Sequence, residues 1–320
     1  MPFAFRAASP ADRPALLRLF EAAFGSPADP ETWAWKYDRN PHPSTSVVAL
    51  HDGEVVGHFG GVGTRYRGAG GDLAGVAAAD VMTHPSRRRL GRPSLFVDLG
   101  LEFFRTAAAA GAPFVFGFPN ERHRRTGEMS LGYVSIEPAR HWLRPLGRSL
   151  LGRLRSRFLR ARVGEGVTRA HDSLAEALHA RPGWRSDRSR ATLDWRFSQH
   201  ARATYRVVEL LDRSGASRGY AAVRRAGDRA LLADLQIRDE SSGDVGDLLE
   251  AVLESLEGGT DRLELRAASS SRLAGRLEAE FGFRPAPSDC HFEVRPLDPA
   301  FDTLSAGRAF DYRFADHEIF

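Results

Sequence analysis

Apolar and polar positions along this chain predict a fixed series of helices and strands. A helix with apolar residues at helical spacing begins after Ser9 and ends at Gly25. Two strands joined by an Asp-Gly turn follow, and a third strand ends at Thr83. A helix from about Ser94, a short apolar strand and a polar helix come next, and a Gly-Tyr pair at 132–133 closes the series.

The second half of the chain repeats this order without close identity of residues. A strand pair turns near Gly215, and the next strand ends at Ile237. A helix with a continuous apolar face follows from about Val245, and then an alternating strand, another helix and a Gly-Phe pair at 282–283. Repetition of a whole series of elements predicts a duplicated domain of the α/β (α+β) class.

The length of 320 residues suits two domains. We expect a first domain over residues 1–140, a basic helical linker over 141–195 and a second domain over 196–320. Within the linker, Leu150 and Leu154 recur at helical spacing among arginines, which predicts an amphipathic helix. A solvated linker helix is favoured over a site for an anionic partner or a membrane surface.

Composition narrows the class of protein. A hydrophobic share of 42% and a charged share of 27% are those of a soluble globular protein. Cys290 is the single cysteine, which excludes an intrachain disulfide and a multi-cysteine metal site, and no metal is expected. The net charge of +4 is too small and dispersed for nucleic-acid binding. Apolar runs too short for a membrane span and the lack of a signal peptide predict a cytoplasmic protein.

The segment Val81–Ser94 carries the most informative chemistry. A strand ends, a loop rich in arginine and glycine turns, and a helix begins. Such a turn directs several backbone N–H groups at one point, and the helix N-terminus adds partial positive charge. The segment therefore predicts a cradle for an anion such as a pyrophosphate.

Within it, the run from Arg88 to Arg92 resembles the Arg/Gln-x-x-Gly-x-Gly/Ala signature of GCN5-related N-acetyltransferases (GNAT), which binds the coenzyme A pyrophosphate. The flanking elements also resemble this family, in particular a bacterial subgroup with tandem domains. The final signature position is Pro93, which lacks an N–H and so removes one phosphate donor. The resemblance implies cofactor binding by Val81, Met82, Thr83, Arg88, Arg89, Leu90, Gly91, Arg92, Pro93 and Ser94.

The resemblance implies two tandem GNAT-like domains, each with a mixed, mostly antiparallel sheet flanked by helices. The loop of the second half that corresponds to the signature, Arg238–Asp244, is acidic and would repel a pyrophosphate. We therefore expect only the first domain to bind acetyl-CoA or a longer acyl-CoA. The second would be a degenerate copy that supports the fold.

Four residues are candidates for proton transfer. Glu128 stands where the family usually has a tyrosine acid. Asp80, on the strand before the signature, is either a base or a paired carboxylate, and His123 is either a neutral base among arginines or an exposed helix histidine. The catalytic candidates are Asp80, Asn120, His123 and Glu128.

Aromatic and small residues are the candidates for an acceptor or acyl pocket. Trp33, Trp35 and Tyr37 either line an acceptor or acyl pocket or pack in the core. Glycines on the second strand either leave room for a longer acyl chain or mark a bulge. These glycines are Gly60, Gly61 and Gly63.

The leading hypothesis is an N-acyltransferase that acts on a small-molecule or peptide amine. The alternative is a GNAT-fold protein that binds acyl-CoA without catalysis, favoured by the missing tyrosine and by Pro93. A third hypothesis, transfer of an acyl group from transfer RNA, would suit the arginine-rich middle of the chain. The coenzyme signature argues against that third hypothesis.

Overall fold

A computed structural model describes residues 3–68, 71–88, 94–146, 159–256 and 258–317. The chain is a mixed α/β protein with two sheets flanked by helices, and it divides into two compact units. Unit 1 consists of residues 1–66, 72–137 and 290–307, and unit 2 of residues 67–71, 138–289 and 308–320.

The strands follow the alternation of the sequence. They are β1 (Ala4–Ala7), β2 (Thr45–His51), β3 (Glu54–Gly68), β4 (Gly71–Thr83), β5 (Phe114–Gly117), β6 (Val134–Pro138), β7 (His141–Pro145), β8 (Arg160–Gly164), β9 (Arg185–Ser186), β10 (Arg206–Leu211), β11 (Ser217–Ala226), β12 (Arg229–Ile237), β13 (Arg262–Arg266), β14 (Arg284–Ala286) and β15 (His291–Pro296).

Several helices begin after a polar capping residue, and several end at glycine. They are α1 (Arg13–Phe24), α2 (Pro30–Tyr37), α3 (Leu95–Ala109), α4 (Glu121–Leu131), α5 (His171–His179), α6 (Arg190–Leu193), α7 (Ser242–Ser255), α8 (Arg272–Phe281) and α9 (Thr303–Ala309). Gly25, Gly132 and Gly282 end α1, α4 and α8 in the left-handed conformation that glycine adopts most readily.

The sheet of unit 1 has the order β1-β2-β3-β4-β5-β15-β6. Strands β4 and β5 are parallel, and α3 connects them. The position between β5 and β6 is taken by β15, which pairs antiparallel with β5 although it lies near the end of the chain. Unit 1 is therefore completed by a segment that follows the whole of the second half in sequence.

The sheet of unit 2 has the order β14-β7-β13-β12-β11-β10-β8 and contains the corresponding parallel pair, β12 and β13. Here β7, which follows the first half in sequence, lies between β13 and β14. In each sheet, the second strand from one edge thus comes from the other half of the sequence.

This division differs from the boundaries expected at residues 140 and 195. The described part of 141–195 belongs to unit 2 and contains the strands β7, β8 and β9 and the helices α5 and α6, so it is not a separate helical linker. Residues 290–307 belong to unit 1 rather than to the second domain. The predicted amphipathic helix around Leu150, Leu154 and Phe158 lies outside the described residues.

Two helical layers cover the two faces of the unit 1 sheet. On one face, α3 buries Leu99 and Phe103, and the Phe103 ring stacks on Phe59 of β3 at 4.4 Å. On the other face, α1 and α2 bury Leu16 and Trp33 against a different set of strand side chains. Because strand side chains alternate in direction, neighbours such as His58 and Phe59 lie on opposite faces.

Candidate active site

The site begins where β4 and β5 stop pairing. Their parallel register runs from Gly75 opposite Phe114 to Ala77 opposite Phe116, and β5 ends one residue later. Strand β4 continues to Thr83. The two strands therefore open beyond Ala77, and Asp80 lies on β4 within the opening.

Asp80 is held in an unusual backbone conformation by buried partners. Its φ of 46° is in the left-handed region, which is uncommon for a residue other than glycine. The Lys36 ammonium lies 3.0 and 3.1 Å from the two carboxylate oxygens, and the Tyr37 hydroxyl donates a hydrogen bond at 2.6 Å. Helix α2, capped by Asp29, thus brings both partners to this carboxylate.

These partners keep Asp80 ionised. Burial alone would raise the pKa of Asp80, but the Lys36 ammonium, the Tyr37 hydrogen bond and His58 together lower it below its ordinary value. A carboxylate with a lowered pKa accepts a proton poorly at neutral pH. The geometry therefore suits Asp80 as a fixed, charged anchor.

His58 of β3 completes the group. It is fully buried, and its Nδ1 lies 2.8 Å from the backbone carbonyl oxygen of Asp80. Because a carbonyl oxygen can only accept, Nδ1 carries the hydrogen and Nε2 keeps its lone pair. Nε2 is buried and has no hydrogen-bond partner among the described residues. Burial also lowers the pKa of His58, which favours the neutral imidazole.

Close packing fixes the side chains of this group. A Cβ on Gly60 would overlap the Tyr37 hydroxyl and would lie 2.7 Å from Cε1 of His58. A Cβ on Gly61 would overlap Val76, and one on Gly63 would overlap the Pro43 carbonyl. The space beside these glycines is filled by protein atoms, so the three positions do not provide room for a longer acyl chain.

The predicted aromatic residues lie on α2 over this group. Trp33 packs against the Tyr37 ring at 4.8 Å and against His58 at 5.4 Å. Trp35 is 1% exposed and packs in the interior. The structure therefore brings Trp33 and Tyr37 to the Asp80 group and leaves Trp35 in the core.

The candidates on α4 have other partners. The Asn120 side chain caps α4 by accepting from the backbone N–H of His123 at 3.1 Å. His123 itself is exposed. The Glu128 carboxylate is paired with the Arg124 guanidinium at 2.8 Å. The structure does not bring these three side chains to the Asp80 group.

The expected cofactor segment is only partly described. Residues 89–93, which include Arg89, Leu90, Gly91, Arg92 and Pro93, lie outside the described residues. The Arg88 guanidinium donates to the backbone carbonyls of Thr83 and Ala23, each at 3.2 Å. Ser94 precedes the first residue of α3, so this helix N-terminus directly follows the loop.

On β4, Met82 is buried against α1 and α2, while Val81 packs toward α3. Thr83 ends the strand, and its carbonyl accepts from Arg88. The three residues therefore form the side of the opening that belongs to β4. Their backbone lies between the Asp80 group and the loop before α3.

The corresponding opening in unit 2 is closed. Asp234 of β12 lies two residues past the last pair with β13, and its carboxylate is 2.6 Å from Arg188 Nε and 2.5 Å from the Tyr220 hydroxyl. Arg188 also pairs with Asp316 of the C-terminal segment at 2.9 Å. Because Arg313 of that segment bridges to Ala267, just beyond β13, the segment fills the space between the two strands.

Two further features of unit 2 concern ligand binding, namely the C-terminal tail and the acidic loop Arg238–Asp244. Phe310, Tyr312 and Phe314 are buried, so the described part of the C-terminal tail is docked. At the start of α7, Ser241 caps the helix and Asp244 pairs with Arg218 at 2.8 Å. A negative side chain thus occupies the helix end that corresponds to the start of α3.

Sequence reasoning missed His58 and Lys36. His58 lies inside an apolar strand, where a lone histidine gives no pattern. The sequence did contain a signal for Lys36, because it is the only lysine among the 45 lysine and arginine residues of the chain. In the described ranges, no cluster of three or more His, Cys, Asp or Glu is arranged to hold a metal ion, and no helix is long and apolar enough to cross a membrane.

Residues 4–127 match the family described as "Acetyltransferase (GNAT) domain". No curated protein matches the sequence. A probable N-acyltransferase of unknown function from Enterococcus faecalis V583 shares the fold at 12% identity with a TM-score of 0.69, over 93% of this chain and 73% of that chain.

Two further solved structures are similar. A GCN5-related N-acetyltransferase from Anabaena variabilis has 17% identity and a TM-score of 0.67, over 92% of this chain and 73% of that chain. A tandem GNAT protein from the clavulanic acid biosynthesis pathway has 15% identity and a TM-score of 0.63, over 94% and 100%. The chain thus has the fold of tandem GNAT proteins, and its residues 4–127 match a GNAT acetyltransferase domain.

Proposed function

We propose that this protein is an N-acyltransferase that moves an acyl group from a coenzyme A thioester to an amine, and that unit 1 carries the reaction. The observation that supports this most directly is His58, a buried imidazole with a fixed tautomer at the opening between β4 and β5. The match of residues 4–127 to a GNAT acetyltransferase domain supports the reaction class.

His58 acts as the general base. The acceptor first loses its ammonium proton to solvent, and the free amine attacks the thioester carbonyl. Nε2 of His58 then takes up, directly or through a water molecule, the proton that the nitrogen loses as the amide forms. The C–S bond then breaks, and the thiolate leaves with the electron pair and takes up a proton. The Asp80 carbonyl holds Nδ1–H, and the Lys36 and Tyr37 contacts hold Asp80 in place.

The donor binds at the loop before α3. The N–H groups of the first turn of α3 and the arginines of the loop provide positive charge for the pyrophosphate. Unit 2 has a docked tail and a negatively charged helix start at the corresponding places, which supports a single donor site in unit 1. The filled space beside Gly60 favours a short acyl group, and so acetyl-CoA over longer donors.

Release of coenzyme A thiol from acetyl-CoA, measured with a panel of small amines and amino-terminal peptides, tests this function. We expect at least one amine to raise the rate of thiol release well above hydrolysis, with the acetylated amine detected by mass spectrometry. Tight binding of acetyl-CoA without turnover of any amine would contradict catalysis and favour the non-catalytic alternative.

The placement of the donor site is tested by reversing charge in the loop. The double variant Gly91→Asp/Arg92→Glu should weaken coenzyme A binding about tenfold to hundredfold, because it replaces a phosphate contact by repulsion. Arg105→Glu, an exposed charge reversal near the other end of α3, is the matched control. Equal affinities of the double variant and the control, measured by calorimetry, would place the donor elsewhere.

A further inference from the structure

We propose that Glu293 of β15 is the general acid that protonates the departing thiolate, the role that a tyrosine on α4 has in the family. This proposal rests on the proposed function. It assigns a catalytic residue to a strand that comes from the opposite end of the sequence.

Glu293 lies beside the origin of the opening. It is paired with Gly117, the last residue of β5. A Cβ on Gly117 would lie 3.9 Å from the Cβ of Ala78, the first residue of β4 beyond the paired region. Glu293 is therefore on the strand next to the opening, at the level where β4 and β5 separate.

The side chain is on the face of the sheet that α3 and α4 cover. Alternation puts Glu293 on the same face as Arg295, whose guanidinium lies over the Phe104 ring of α3 at 5.5 Å. Its neighbour Phe292 is on the opposite face, against Phe116 and Phe118. His58 is on the same face as Phe292, because it pairs with Val48 of β2, and Val48 packs with α1 and α2. The base and the acid would thus act from the two sides of the sheet.

Helix α4 leaves space for this carboxyl group. A Cβ on Gly127 would lie 3.4 Å from Oε2 of Glu293 and 3.3 Å from the Tyr133 ring. Gly127 is adjacent to Glu128, where the family tyrosine is expected. The carboxyl group of β15 therefore lies directly under the helix, in contact with α4 at Gly127.

The environment keeps Glu293 protonated. Glu293 is 2% exposed, and its Oε1 is buried without a hydrogen-bond partner among the described residues. Burial raises the pKa of Glu293 to about 8, with further increases from Glu128 and Glu121 and an opposing effect from Arg124. Arg124 is engaged by both glutamates, so it does not pair with Glu293.

Other groups near Glu293 agree with a neutral acid. Tyr133 lies half-buried beside it, and burial raises the pKa of this tyrosine well above its ordinary value, so it stays protonated. On the same strand, His291 pairs with Glu121 at 3.3 Å. At neutral pH, Glu293 therefore holds a proton that it can give to the thiolate when the C–S bond breaks, and the resulting carboxylate regains a proton from solvent.

Replacement of the leaving group tests this role. Glu293→Gln should lower kcat with acetyl-CoA about a hundredfold or more, because assistance by a general acid is removed. With the selenoester analogue of acetyl-CoA, whose selenolate is a stable leaving group, the same variant should lose less than about threefold relative to wild type. Equal losses with the two donors would overturn the acid role.

Two controls separate structural effects from catalysis. Glu209→Gln changes another fully buried strand glutamate, one in unit 2 with an oxygen that also lacks a partner, and should affect the two donors equally. The KM for acetyl-CoA should stay unchanged in Glu293→Gln. A rise in KM with constant kcat would show a binding role and would also overturn the proposal.

A spectroscopic readout does not depend on turnover. Infrared difference spectra of the wild type should show a protonated carboxyl band at neutral pH that titrates near pH 8 and is absent from Glu293→Gln. If wild type transfers no acyl group but shows this band, the proposed function fails and Glu293 remains a buried acid without that role. If the band is missing, the acid assignment fails even when wild type is active.

Discussion

At the scale of single residues, the account depends on a buried ion pair. Lys36 and Asp80 have side chains that are 11% and 8% exposed, and each satisfies the charge of the other. Removal of one member of a buried pair leaves a charge without compensation, which costs more than removal of both. The lone lysine in an arginine-rich chain was a signal of this pairing, but its partner could not be identified from a separation of 44 positions.

Lys36→Met should destabilise the protein by about 3–5 kcal/mol, because Asp80 is left charged and buried. The double variant Lys36→Met/Asp80→Asn should recover a large part of that loss, since no charge then remains. Free energies of unfolding from urea titrations measure both values. A double variant that is as unstable as the sum of the two single variants would show that the residues are not coupled.

His58→Gln should lower kcat/KM for the acceptor about a hundredfold or more. In the wild type the rate should rise with pH as His58 loses its proton, and burial places that rise below the ordinary histidine pKa of about 6.5. The variant should lack this rise. A variant that keeps both the rate and the acidic limb of the pH profile would exclude His58 as the base.

At the scale of elements, periodicity predicted the helices and strands of the repeated series, but it predicted neither α2 nor the strands β7 and β8. The polar helix expected after the short apolar strand is α4 at Glu121–Leu131, and the strand expected to end at Ile237 is β12. These elements have local signals in caps, glycines and apolar spacing. The contact of α2 with β3 has no local signal in the sequence, because it depends on tertiary packing.

Helix α2 packs against β3 at Gly60, and the variant Gly60→Ala tests this contact. The added methyl group should displace the Tyr37 hydroxyl and His58, so we expect a loss of activity of at least tenfold with retained secondary structure. Gly275→Ala on α8 is the control, because a Cβ there meets no atom within 4 Å. Initial rates and circular dichroism check both variants, and a fully active Gly60→Ala protein would contradict the packing described.

At the scale of the whole molecule, the exchange of strands between the halves was not predictable. The sequence showed a repeated series of elements, but the order of strands in a sheet is set by pairing between distant residues. Strand β15 follows 152 residues of unit 2 in the sequence, from 138 to 289, and still completes unit 1. The expected boundary at residue 140 would have separated unit 1 from this strand.

A chain that ends at residue 289 should therefore lose the stability of unit 1 as well as the tail of unit 2. Without β15, the edges of β5 and β6 have no partner strand. We expect loss of cooperative unfolding and loss of coenzyme A binding, measured by calorimetry. Retention of coenzyme A affinity in the shortened chain would show that β15 is dispensable for the site.

A crystal structure of the protein with a non-hydrolysable acetyl-CoA analogue tests the central claim most directly. The account predicts that the pyrophosphate lies at the start of α3 and that the acyl carbonyl lies in the opening between β4 and β5, between His58 and Glu293. It also predicts no nucleotide in unit 2. An analogue bound at α7, or one whose acyl group lies away from Asp80, would contradict the account.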